Sequence, residues 1–257
     1  RGAADWPDED DSRIELTLRM LPALHWYWFA KGRFHEGHQR LESALARVVD
    51  SPMVPAIVRG RASTALASIV FWQGDYAAIR GPAEYAVGKV RESGDRRAIA
   101  YALTTPGMAT LMDGDPVGAS ALFEEAVARA RAIARDTLLS FTLYWHGIGA
   151  HARGDLPLAH ASLAEASEVG RAVRCSSAIA HPLSMRARVA LAEGDQARAR
   201  QWLSEALAIH CATGAGFGTV IALDGVARLA AAAGEPVLAA RLLGASEALR
   251  DELRMSR

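Results

Sequence analysis

Large and small apolar residues alternate along this chain at helical spacing. Phe123 is followed three residues later by Ala126, Leu163 by Ala166, Leu203 by Ala206 and Leu243 by Ser246, with Ala83 and Ala86 as a smaller earlier copy. Residues three and four apart share one face of a helix, so each pair marks a helical seam. Polar punctuation falls between the seams at Gly74-Asp75, Gly114-Asp115, Gly154-Asp155, Gly194-Asp195 and Gly234-Glu235, at a constant period of 40. Glycine enters the left-handed conformation that ends a helix, and the acid after it accepts from the first N–H groups of the next. Pro116, Pro157 and Pro236 stand two or three residues past their glycines, in a helical first turn that has no use for the missing N–H. Each glycine-acid pair therefore predicts the turn of a helical hairpin.

Counting from the glycines fixes the faces. Seven positions before them stand Ala67, Gly107, Gly147, Ala187 and Ala227; five after stand Ala119, Ala159, Ala199 and Ala239, with Ile79 the exception. Such small columns predict close helix approach. Gly32-Arg33-Phe34 is a degenerate earlier copy, one slightly longer period before Gly74, giving six units with an atypical first. The first helix is predicted from about Ser12 to Ala30. Later first helices start near Ile57, Ala98, Thr137, Ile179 and Gly218 and run to each glycine, with a kink expected at Pro106. Residues 1–11 are an acidic lead-in, Asp8 to Asp11 capping or preceding the first helix, and 12–257 form one helical array.

Ala119 with Phe123, Ala159 with Leu163 and the small residue in each first helix resemble the tetratricopeptide repeat. The period of 40 exceeds the usual length of about 34, and the proline near the end of the second helix is missing. The extra residues are expected in the loop between hairpins. The fold this implies is all-α, a right-handed superhelical solenoid of about six antiparallel helix pairs. Units of this length also resemble the C-terminal halves of LuxR-type ATP-binding, MalT-like bacterial regulators. That resemblance implies an upstream nucleotide-binding domain and possible helix-turn-helix domain in the same longer chain.

Composition agrees with closely packed helices, since 51% of residues are hydrophobic but only 7% aromatic. The 29 basic and 29 acidic residues cancel, so no net field draws nucleic acid or an anionic membrane. Charge interrupts every apolar run, as Arg228 does between Ile221 and Ala233, so no membrane span is expected. Cys175 and Cys211 suit a reducing cytoplasm and could be neighbours across a hairpin. With Arg1 first and no charged-then-apolar leader, the sequence reads as a segment of a longer cytoplasmic chain.

Motifs for chemistry fail on spacing. Gly81 to Gly88-Lys89 separates its glycines by six residues, and Val90 replaces the hydroxyl a phosphate loop needs. Gly214-Ala215-Gly216-Phe217-Gly218 follows a helix rather than a strand, so it reads as a connection. His35 with His38 lacks a third ligand, and His146 with His151 points to two faces. Glu124 and Glu125 diverge, and no catalytic, cofactor or metal residues are assigned.

Recognition is expected instead on the concave side, which the first helices line in a tetratricopeptide-like superhelix. The outward stripe reads Arg61, Thr64, Ser68, Phe71 and Trp72, then Tyr101, Thr104 and Met108. It continues through Phe141, Tyr144, Ile148 and His151, then His181, Ser184, Arg188, Asp224 and Arg228. A protein, peptide or small-molecule effector is the expected occupant; the alternative is that the aromatics only pack between helices. His25, Trp26, Trp28 and Phe29 are a further candidate, as a face that docks a preceding domain. The expected function is a non-catalytic sensor segment of a LuxR-type regulator. A stand-alone adaptor is the alternative, and a domain of a larger enzyme is the third reading.

Overall fold

The computed structural model describes residues 11–48, 51 and 53–253. Asp8, Glu9 and Asp10 of the acidic lead-in lie outside them, and Asp11 opens the first helix. Among the described residues the chain is helical throughout: α1 (Asp11–Lys31), α2 (Phe34–Ala46), α3 (Ala56–Trp72), α4 (Arg80–Ser93), α5 (Arg96–Ala102), α6 (Thr104–Met112) and α7 (Pro116–Arg131). There follow α8 (Thr137–Ala152), α9 (Leu156–Ala172), α10 (Ser176–Ala192), α11 (Gln196–Thr213), α12 (Gly216–Ala232) and α13 (Pro236–Glu252). Taking α5 and α6 as one bent helix, these make six antiparallel pairs, each packed on the next. The architecture is a tetratricopeptide-like solenoid.

The hairpin turns form as their chemistry requires. The five glycines adopt φ between 76° and 85°, a region that penalises any Cβ. Asp75, Asp115, Asp155 and Asp195 each accept from the N–H three residues on, at Ala78, Gly118, Leu158 and Arg198. Glu235 makes no such bond, in keeping with the preference of this position for shorter side chains. The seam columns face each other across each hairpin. A Cβ on Gly107 would lie 2.5 Å from the Phe123 ring, and one on Gly147 2.5 Å from Leu163 Cγ. Phe123 and Leu163 are fully buried, whereas Leu243 on α13 is 47% exposed because no further described helix covers it.

On the outer face the repeat extends to charge. Arg91 pairs with Glu125 at 3.7 Å, Arg131 with Glu165 at 2.5 Å and Arg171 with Glu205 at 2.6 Å, each joining one return helix to the next. Exposed pairs of this kind contribute about 0–1 kcal/mol each, so register is their clearer role.

Several expectations need correction. Residues 47–55 and 132–136 form longer connections, but elsewhere the residues beyond a tetratricopeptide unit lengthen the helices and not the loops between hairpins. Helices α9, α10, α12 and α13 each have 17 residues and α11 has 18. Left-handed residues close the connections instead, at Gly94, Arg174 and Gly214, so the chain turns almost at once. Pro106 does more than kink its helix. The helix is broken between Ala102 and Thr104. Proline cannot donate to the carbonyl four residues back, and the Thr105 hydroxyl bonds that Ala102 oxygen at 2.8 Å. Cys175 and Cys211 are both free thiols, the first half-buried and the second exposed.

Of the proposed docking cluster on α1, the two described side chains are core. His25 and Trp28 are 3% and 1% exposed, His25 bonding Ser68 on α3 and Trp28 packing beside Gly37 on α2. The side chains of Trp26 and Phe29 lie outside the described residues. The apolar face that α1 does expose carries Leu16, Met20, Leu24 and Tyr27.

The solenoid curves until its ends meet. Helix α1 contacts α12, and Gly32 lies so close to Leu253 that a Cβ there would come within 3.0 Å of its carbonyl oxygen. Trp72 of the second unit stacks edge-on against Phe217 of the sixth, with ring centroids 4.6 Å apart.

Candidate functional site

Closure turns the concave groove into a cavity of about 770 Å³. All six units contribute first-helix residues to its wall. It extends along α3 from Arg61 to Trp72 and takes the beginnings of α5, α8, α10 and α12. Pro22 and His25 of α1 complete the wall.

Depth follows the repeat columns. Arg97, Thr137 and Ser177, each one unit apart, are exposed at the rim. Four residues further along their helices, Tyr101, Phe141 and His181 are half-buried and line the interior. Beyond these the same faces enter the core. Trp145 organises that closure, with ring centroids 5.3 Å from Phe71, 6.1 Å from Trp72, 6.0 Å from Phe123 and 5.6 Å from Tyr144.

Of the stripe expected from sequence, Arg61, Thr64, Ser68, Trp72, Tyr101, Phe141, Tyr144 and His181 line the cavity. The others do not reach it. Phe71, Thr104, Met108 and Ser184 are buried, Thr104 and Ser184 bonding the backbone oxygens of Tyr101 and Ala180. Ile148 is half-buried against apolar neighbours, and His151 is half-buried near the end of α8. Arg188 and Arg228 are exposed on the later parts of their helices. Asp224 turns to α13, accepting from Ser246 Oγ at 2.6 Å and pairing with Arg250. A straight stripe misplaces these residues because neighbouring first helices close over the groove after about two turns.

Sequence reasoning missed Arg97, Thr137, Ser177 and Phe217. They share one position of the repeat, set by Gly114, Gly154, Gly194 and Gly234 respectively, so the register carried the signal. It also missed Pro22 and Pro182, and it read His25 as part of a docking face where the structure places it in the cavity wall. Proline at 182 leaves the Ala178 carbonyl without its helical donor, and Ser140 Oγ approaches that oxygen at 3.3 Å while bonding Ala166 O at 2.9 Å.

The interior holds its titratable groups neutral. Burial lowers the His25 pKa to about 4, and burial aided by the neighbouring His210 lowers His181 to about 3. Burial raises the phenols of Tyr101 and Tyr144 to about 12, with Ser68 and Arg188 respectively opposing part of the change. Among the described residues the charged ones in the lining are Arg61 and Arg97. Among the described residues no three His, Cys, Asp or Glu side chains gather as a metal site, and no helix is long and apolar enough to cross a membrane.

An all-helical array of stacked hairpins around a central cavity places the chain among tetratricopeptide-like repeat structures, and solved structures agree. It is similar to a Rap protein complexed with competence and sporulation factor, at TM-score 0.77 and 12% identity, over 93% of this chain and 64% of that one. It is similar to the Rap conjugation gene regulator of plasmid pLS20 in complex with the Phr* peptide, at TM-score 0.67 and 11% identity, over 99% and 80% of the two chains. Kinesin light chain-like repeats from Podosopora anserina align at TM-score 0.55 and 18% identity, over 77% and 97%. At these identities the likeness is one of fold, and the chain spans 64% of the first Rap protein's length. No protein-family model and no curated protein matches the sequence.

Proposed function

We propose that this chain is a non-catalytic recognition scaffold whose central cavity binds a short peptide or small amphipathic effector. The cavity itself carries the reading. Its volume of about 770 Å³ falls within the range of about 300–1,000 Å³ typical of ligand sites, and it joins apolar rings to a few polar groups. The two Rap proteins of similar fold are complexed with competence and sporulation factor and with the Phr* peptide, which supports a peptide as one class of occupant. A ligand here touches helices from every unit, so its binding free energy bears on the curvature of the whole array. That suits a sensor segment, the role that the repeat's resemblance to LuxR-type regulators implies, and the fold supports a stand-alone adaptor equally.

Filling the cavity tests the proposal. Ala178 lines it and is half-buried, and Ala178→Trp places an indole inside. A thermal-shift screen of peptides and small effectors should yield ligands that stabilise the wild type and not the variant. Ligands that stabilise both equally bind elsewhere and would remove the assignment.

A further inference from the structure

The cavity has an asymmetric chemistry that narrows its ligand. Among the described residues no aspartate or glutamate lines the cavity. Its two charged side chains, Arg61 and Arg97, belong to the second and third units.

Neighbouring carboxylates hold both arginines in place from outside the lining. Arg61 Nη2 donates to Asp95 Oδ2 at 2.7 Å, while Asp95 Oδ1 accepts from Ala98 N at 2.9 Å. Arg97 Nη1 pairs with Asp136 Oδ2, whose other oxygen accepts from Leu138 N at 2.9 Å. Each aspartate thus spends one oxygen capping a helix and the other on an arginine. A guanidinium has five N–H donors, and one carboxylate oxygen leaves most of them unused. The two side chains are 52% and 48% exposed, so they meet incoming ligand without being deeply desolvated. Below the rim, Trp72, Phe141, Tyr144 and Phe217 offer aromatic surface, and the neighbouring His25 and His181 are uncharged at neutral pH.

We infer that the cavity selects an apolar, ring-bearing body attached to a carboxylate, with the carboxylate at Arg61 and Arg97 and the body on the aromatic floor. This inference rests on the proposed function of the same cavity. A ligand carboxylate can take the guanidinium N–H donors that the aspartates leave unused, whereas a ligand ammonium has no use for donors and meets no lining carboxylate among the described residues. A small aromatic acid and the C-terminus of a short peptide share this chemistry. For a peptide it fixes polarity: the C-terminus lies at the arginines, because their unused N–H donors take a carboxylate and cannot pair with an amine that is itself a donor. Arginine forks recognise carboxylates bidentately, which makes the acid group a selective handle.

The test uses matched probes on the full chain at pH 7.5. Indole-3-acetate and its amide form one arm; an acetylated Leu-Phe dipeptide, as free acid and as amide, forms the other. Affinities are measured by calorimetry and by displacement of the uncharged dye 1-aminoanthracene, with melting curves as a folding check. At least one acid should bind ten-fold or more tighter than its amide. Arg61→Gln with Arg97→Gln should bring that acid to the amide's affinity and leave the amide unchanged. The arm that shows this identifies the source as a small acid or a peptide end. Dye that enters the wild type but not Ala178→Trp, with acids and amides binding equally or not at all, overturns the carboxylate inference and leaves the cavity assignment standing. Dye that ignores Ala178→Trp, or never binds, overturns both.

Discussion

A glycine in this chain has opposite meanings at different places in the repeat. Gly147 faces Leu163, and an added Cβ would lie 2.5 Å from Leu163 Cγ; at Gly88, an exposed position inside α4, an added Cβ meets nothing within 4 Å. Gly147→Ala should cost about 1–3 kcal/mol through overpacking, whereas Gly88→Ala should stabilise by about 0.5–1 kcal/mol through helix propensity. Urea denaturation of the two variants checks this, and changes of the same sign would show the seam assignment to be wrong. Histidine gives a second residue-scale prediction. His25 and His181 have folded pKa values of about 4 and 3, both below the ordinary 6.5. The unfolded chain therefore binds protons that the fold refuses. Stability from these groups is complete above pH 6.5 and declines as pH falls toward their folded values. By pH 5 each should have removed about 2 kcal/mol. Denaturant midpoints at pH 7.5 and 5 should differ accordingly, and His25→Gln should reduce the difference.

At the scale of one helix, the decisive device is the break between α5 and α6. Pro106 removes an N–H, and Thr105 Oγ1 supplies the substitute donor to Ala102 O. Thr105→Val keeps the shape and deletes that donor, so a buried carbonyl goes unsatisfied at a cost of about 1–3 kcal/mol. In a Pro106→Ala background the restored N–H makes the hydroxyl dispensable. The same Thr105→Val change should then cost much less, a non-additivity that a double-mutant cycle on unfolding free energies measures directly. The sequence showed that this helix bends, through proline. That Thr105 would take over the lost bond required the side-chain rotamer, which a one-dimensional pattern does not contain.

An open solenoid unfolds as a chain of nearest-neighbour interfaces, and this one has an additional contact between distant units. Trp72 and Phe217 join the second and sixth, while Leu253 packs beside both Gly32 and Gly216. Phe217→Ala should therefore loosen both partners together. Hydrogen exchange should accelerate in α3 as well as in α12, and acceleration confined to α12 would indicate an open array instead. Closure also explains the functional asymmetry of the stripe. His181 lines the cavity and Arg188, further along the same helix, is exposed and does not, because curvature admits only the beginnings of the later first helices.

Sequence by itself determined the hairpin. Positive-φ glycine, aspartate cap and alternating column sizes are local requirements, met within one unit and repeated at a constant period along the chain. The register even contained the rim at Arg97, Thr137 and Ser177, whereas Phe217, at the same position of the sixth unit, is buried where the ends close. Only the tertiary structure decided how far the array curves, because small rotations between units accumulate and no single unit encodes their sum. That sum brings Trp72 to Phe217, covers Phe71 and Met108, and converts a stripe of first-helix residues into a cavity with two arginines at its edge.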